Sequence, residues 1–238
     1  MRIILAVVLV CAIADVARAG ELTADQRLIV ACHRLDVDGV VAELRHGAAP
    51  NARFGDGDIM LFQDRWSLGW PISAKAWTPL IALANASLDP DPPRKVENTE
   101  ADIQWAREQQ EKIPAVQIEQ RRRDVLTILL VLLSHNADLD ADDKHGATAL
   151  YDAIYGQKTE MAKVLIRFGA KVNTKTGIYI DGASGITPLH RASSSAELTK
   201  LLLEKGADPT AKDSDGRTPL DWAKLDGDAA VLRIYQTR

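Results

Sequence analysis

"GITPLHRASSSAELTKLLLEKGADPTAKDSDGRTPLDWAK", residues 185–224, contains its own opening twice: T-P-L-H-R-A at 187–192 returns as T-P-L-D-W-A at 218–223. Recurrence at a fixed interval is the mark of a chain built from stacked units. Working outward, T-[PA]-L occurs four times, at Thr78-Pro79-Leu80, Thr148-Ala149-Leu150, Thr187-Pro188-Leu189 and Thr218-Pro219-Leu220. A second string, G-A-x-x-[NT], runs from Gly47 to Asn51, Gly169 to Asn173 and Gly206 to Thr210. "NADLD" (136–140) is that string with Asn for Gly and Asp for the last Asn. The two strings alternate, with 21 residues from Thr148 to Gly169 and 19 from Thr187 to Gly206.

Each string has a physical reason. A Thr hydroxyl caps the free N–H groups of a helix start, and Pro fits the first helical position because its missing N–H costs nothing there. Gly ends a helix in a left-handed turn, and Asn136 belongs to the residue type best able to replace it. Met161, Val164, Leu165 and Phe168 fall at i, i+3, i+4 and i+7, one face of a helix. Leu198, Leu201 and Leu202 repeat the pattern. After Gly206, "ADPTAKDSDGR" is polar and reaches Asp215-Gly216, a tight-turn pair. The unit is therefore cap, helix, turn, helix, Gly, polar finger.

This unit resembles the ankyrin repeat, which has a period of about 33 residues and carries a T-P-L-H-x-A string. The resemblance is strongest over 185–224 and good over "GATALYDAIYGQKTEMAKVLIRFGAKVN" (146–173), where Tyr151 stands at the His position. "RLIVACHRLDVDGVVAELRHGAAPN" (27–51) is a degenerate first unit. "AWTPLIALANAS" (76–87) opens a second, whose other half resumes at "RDVLTILLVLLSHNADLDA" (123–141). The last helix, "DAAVLRIYQTR" (228–238), closes a shortened fifth unit. The resemblance implies an all-α solenoid of four to five helix-turn-helix units with hairpin fingers. It also implies non-enzymatic protein binding on the concave face made by fingers and first helices, and a structural His190 that ties neighbouring repeats by hydrogen bonds.

The start of the chain reads as an export signal: Met1-Arg2, an unbroken apolar run from Ile3 to Ile13, then Ala17-Arg18-Ala19. Eleven apolar residues fall short of the roughly 20 needed to span a bilayer. Residues 1–19 are thus expected to be a signal peptide and 20–238 the repeat domain, with a periplasmic or secreted location. Removing Arg2, Arg18 and Asp15 takes the 29 basic and 33 acidic side chains to 27 and 32, a formal charge of −5. That balance speaks against a nucleic-acid partner, which wants a basic face. Cys32 alone remains beyond residue 19, so no internal disulfide forms, and the 46% apolar composition must supply the core.

Three stretches exceed the repeat. Residues 53–76, "RFGDGDIMLFQDRWSLGWPISAKA", add 19 residues and carry Phe54, Phe62, Trp66 and Trp70 ahead of Trp77. Residues 174–186, "TKTGIYIDGASGI", add six. Both lengthen fingers, so both lie along one edge of the stack. Residues 87–123 add about 37 between the two helices of the second unit. There "SLDPDPPRK" is loop-like, Thr99-Glu100-Ala101-Asp102 is a capping box, and a polar helix extends to about Lys112 before Pro114. In "VLTILLVLL" (125–133) only Thr127 is polar. A helix apolar all round must be covered all round, so the insertion is expected to fold back over it through Ile103, Trp105 and Ala106.

The candidate partner-binding residues are Phe62, Trp66, Trp70, Tyr179, Asp213 and Asp215, on the finger edge. Aromatics on a protruding loop make binding hot spots; equally, they can form a private core that orders a long loop. Catalytic, cofactor and metal sites find no support. Cys32 and His33 are adjacent on a helix and cannot face each other. His46, His135 and His145 lack metal-ligand spacing. Asp138, Asp140 and Asp142 alternate like a calcium loop, but the Gly at its sixth place and Glu at its twelfth are missing. Gly182-Ala183-Ser184-Gly185-Ile186 fails the nucleophile-elbow pattern at its last position. Arg121-Arg122-Arg123 reads as a solvated helix face. The expectation is a monomeric, cofactor-free module that binds another protein. Two alternatives stay open: an enzyme or ligand-binding protein with a site built by the insertions, and a secreted effector acting on host proteins.

Overall fold

The computed structural model describes residues 22–53, 77–86, 115–177 and 184–237. Among them run ten α-helices in five pairs. They are α1 (Ala24–Arg34) with α2 (Val37–Arg45), α3 (Pro79–Asn85) with α4 (Ala115–Ser134), and α5 (Ala149–Tyr155) with α6 (Thr159–Arg167). Then follow α7 (Pro188–Arg191) with α8 (Ala196–Glu204), and α9 (Pro219–Asp226) with α10 (Ala229–Gln236). A 3-10 turn, Ala192–Ser194, extends α7. The one β-type pairing among the described residues is the isolated bridge Asp142–Thr148 at the base of a finger.

The repeated strings do what their chemistry dictates. Thr78, Thr148, Thr187 and Thr218 are extended residues whose hydroxyls accept from the N–H of Ile81, Tyr151, His190 and Asp221. Gly47, Gly169 and Gly206 end second helices at φ of 90°, 95° and 85°, and Asn136 takes the same left-handed turn at 59°. The first unit begins earlier than Arg27. Thr23 and Gln26 form a capping box on α1, a start written without the Pro-Leu that marks the others.

Order in space follows order in sequence. α1, α3, α5, α7 and α9 pack in succession as an inner row, and α2, α4, α6, α8 and α10 as an outer row. One buried apolar cluster threads the stack from Leu28 through Leu80, Ile128, Leu150 and Leu165 to Leu202. A pair of short helices cannot bury both its faces alone, so each unit depends on its neighbour. The finger string adds polar stitches. Asn51 donates to Asn136 O and accepts from Asp138 N; one unit later Asp140 accepts from Lys171 N. Asn173 does for Gly206 O and Asp208 N what Asn51 does for its neighbour. The first unit thus stacks directly on the half that follows residue 114.

The third finger closes normally around its excess. Asp143 and Asp213 each accept N–H groups across their turns, from Ala147 and Arg217 respectively. In the third finger Thr176 takes this place: its hydroxyl accepts from Ile186 N and its carbonyl from Gly185 N. The six excess residues, 178–183, fall inside that closure and outside the described residues.

Among the described residues α4 buries one stripe: Val125, Ile128, Leu129 and Leu132 are buried, while Thr127 and Leu130 are exposed, Leu130 by 52%. The buried four lie at i, i+3, i+4 and i+7, a single stripe facing α2, α3 and α6. A stripe that wide suffices to dock a helix, and single apolar side chains at a surface are common. Ile103, Trp105, Ala106 and the capping box at Thr99 lie outside the described residues, as do 1–21 and 54–76.

Candidate protein-binding surface

Two equivalent positions recur along the inner row; Ala82 and Asp152 are buried, and the open face is reached farther along the stack. Counting from each capping Thr, the fourth residue is Ala82, Asp152, Arg191 or Trp222, and the seventh is Asn85, Tyr155, Ser194 or Leu225. Tyr155 is 62% exposed and Leu225 72% exposed. Between them stand the half-buried Arg191 and Trp222.

These groups hold one another. Arg191 Nε donates to Tyr151 Oη at 2.7 Å. Its guanidinium carbon lies 4.8 Å from the centre of the Tyr155 ring and 5.3 Å from that of Trp222. Arg217 stands 5.4 Å from the Trp222 ring. The indole Nε1 donates to Asp213 Oδ2 at 2.8 Å, and His190 meets the ring edge-on at 5.8 Å.

Of the six residues expected to bind, four (Phe62, Trp66, Trp70 and Tyr179) lie outside the described residues. Asp213 is buried, and its carboxylate accepts from Trp222, from Arg217 Nε and from the N–H groups of Asp215 and Arg217. Burial opposes its ionisation, but these hydrogen bonds outweigh it and hold the carboxyl below the usual range. Asp213 therefore organises the finger from within. Asp215 is exposed and pairs with Arg217 at 2.6 Å.

Tyr155, Arg191, Trp222 and Leu225 were not among the expected residues. Their signal was present: they are positions that vary inside strings that otherwise repeat. A repeat keeps what its neighbour needs and frees what faces outward.

His190 is structural, as the resemblance implied. Its Nδ1 accepts from Thr187 N–H, which assigns the proton to Nε2, and Nε2 donates to Arg217 O in the next unit at 3.1 Å. Burial pushes its pKa down, so the ring stays neutral. Cys32 is fully buried and burial pushes its thiol far up, the reverse of an activated nucleophile. A cleft of about 410 Å³ lies between α4 and the start of α6. Its lining includes Arg122, Arg123, Lys158 and Glu160, with no Cys, His or Ser. Lys158 Nζ is held by Ala84 O at 2.6 Å.

Against known proteins, the ankyrin-repeat family model matches residues 145–177 and 184–214, leaving out the same 178–183 around which the third finger closes. The chain is an ankyrin-repeat protein. Similar relatives include the zebrafish ankyrin repeat and SOCS box protein 11, 35% identical over 121 residues, 50% of this chain and 38% of that protein. Human Rabankyrin-5 is 35% identical over 123 residues, 46% of this chain and 10% of its own length. The Arabidopsis putative E3 ubiquitin-protein ligase XBAT34 is 36% identical over 104 residues, 42% and 27%. The chain thus spans less than two-fifths of each of these relatives. Ankyrin repeats indicate a protein–protein interaction module, and among the described residues no helix is long and apolar enough to cross a membrane.

Proposed function

We propose that this ankyrin-repeat protein is a non-catalytic module of the periplasm or extracellular space that binds a partner protein through its fingers and the open face of its first helices. The observation that carries the reading is the row Tyr155, Arg191, Trp222 and Leu225. Aromatic and Arg side chains, held rigid by one another beside exposed apolar groups, are the composition of binding hot spots. The sequence adds the finger-stretch aromatics Phe62, Trp66, Trp70 and Tyr179, which lie outside the described residues, and Asp215 on the last finger, as further candidates for partner contact. The export half of the proposal rests on the Ile3–Ile13 run and Ala17-Arg18-Ala19.

The test has two arms. Expressed with its own leader, the protein should leave the cytoplasm and begin at Gly20; cytoplasmic retention of the uncut chain sinks the location. Affinity capture from periplasmic extract should recover a protein that a Trp66→Ala/Trp70→Ala variant recovers poorly, with unchanged helical circular dichroism. Unfolding of that variant would make the rings core and move the site to the inner helices.

A further inference from the structure

The inner row holds a cation for which the stack supplies no anion. Arg27, Arg217, Lys163, Lys171 and Lys224 each meet a carboxylate within 4 Å. Arg191 meets none, and its two Nη groups have no hydrogen-bond partner among the described residues. Asp152, whose field reaches Arg191, is buried and bonded to Asn85 instead.

Arg191 is nevertheless held on several sides. Tyr151 Oη takes its Nε, and the rings of Tyr151, Tyr155 and Trp222 lie within 5.4 Å of its guanidinium carbon. A guanidinium already fixed loses little freedom on binding, and its unused edge matches a carboxylate with two parallel N–H···O bonds. Half-burial raises the strength of such a pair above that of a solvated one. The flanks are apolar on both sides along the stack, Tyr155 on α5 and Leu225 on α9.

We infer that Arg191 anchors the partner, receiving the carboxylate of an Asp or Glu side chain in a segment that crosses α5, α7 and α9 and sets apolar side chains against Tyr155 and Leu225. The carboxylate belongs to a side chain rather than a chain end, because the apolar flanks call for partner residues on both sides of it. This inference rests on the protein-binding reading above.

Selection of displayed random dodecapeptides on the whole folded protein tests it. The expected result is peptides with one fixed acidic position between apolar residues. In the matching synthetic peptide, Glu→Gln or Asp→Asn at that position weakens binding about tenfold or more. Arg191→Gln weakens the acidic peptide by a similar factor and leaves the amide peptide unaffected. The peptide-side change probes the pair on unaltered protein, so a folding defect in the Arg191 variant cannot decide the outcome. Selected peptides without an acidic position, or acidic peptides that bind the Arg191 variant equally well, overturn the anchor and leave the binding reading standing. No enriched peptide at all overturns both.

Discussion

Asn85 at the end of α3 donates to the carboxylate of Asp152 on α5, 2.8 Å away, across the junction of two repeats. Asp152 is buried, and that burial outweighs the help of Asn85 and of the nearby Lys158 and Arg191 charges, pushing its pKa up to about 7. A carboxyl that holds its proton more tightly when folded costs nothing below its unfolded value of 3.8. The cost grows as pH rises from there and is complete above about 7. Lys158, pushed down to about 8 by burial, keeps its charge across most of that window. Asp152→Asn should therefore gain more stability at pH 7.5 than at pH 5, by on the order of 2 kcal/mol. Urea midpoints at the two pH values measure it. The difference between them cancels any fixed effect of the amide, and a flat difference would show a carboxyl that is not desolvated.

His190 is neutral and fully buried, and it bonds both its own helix start and the next unit. His190→Ala removes the tie to Arg217 O, weakens the Thr187 cap and opens a cavity. The expected loss is about 2–4 kcal/mol at pH 8. Because burial lowers its pKa, its contribution is full above the unfolded value of 6.5 and shrinks as pH falls below it. The variant's deficit should be smaller at pH 5. A deficit independent of pH would mean the ring is not desolvated.

Gln157 carries a left-handed φ of 56° in the turn between α5 and α6. A side chain there is strained by about 1 kcal/mol, which glycine avoids at some entropic cost. Gln157→Gly should raise stability by about 0.5 kcal/mol. Gly206→Ala, at φ 85°, should lower it by about 1 kcal/mol. Thermal melts of the pair check the sign, and destabilisation by both would show that Gln157 contributes contacts worth more than its strain.

The units were legible because each boundary residue does local chemistry. Thr caps through its own hydroxyl, Gly turns left-handed, and both can be read without knowing the neighbour. The third finger's excess of six was legible by counting, since Thr176 and Ile186 close the turn where Asp143 and Ala147 do. The inner-face row was harder to see. Arg191 and Trp222 are separated by 31 residues, and only the stacking of α7 on α9 brings a guanidinium over an indole. Asp213 misled for a related reason. An Asp beside a turn looks solvent-facing in sequence, whereas Trp222, nine residues on, draws it inward.

Leu129 and Leu130 are neighbours in the apolar run of α4, yet one is 0% and the other 52% exposed. Successive helix residues point about 100° apart, so a single stripe can bury the first and leave the second outside. Leu129 packs in the cluster shared with α2, α3 and α6. Leu129→Ala should cost about 2–4 kcal/mol, because the emptied space is walled by other repeats and collapses poorly. Leu130→Ala should cost less than about 0.5 kcal/mol, since alanine loses little contact there and favours helix. Chemical denaturation of the two variants decides between two pictures of this helix. Equal, large losses would mean that residues 87–114 cover its outer side, as a reading of the apolar run alone would have it. A large loss confined to Leu129 means that one face carries α4 and the outer side is open to solvent.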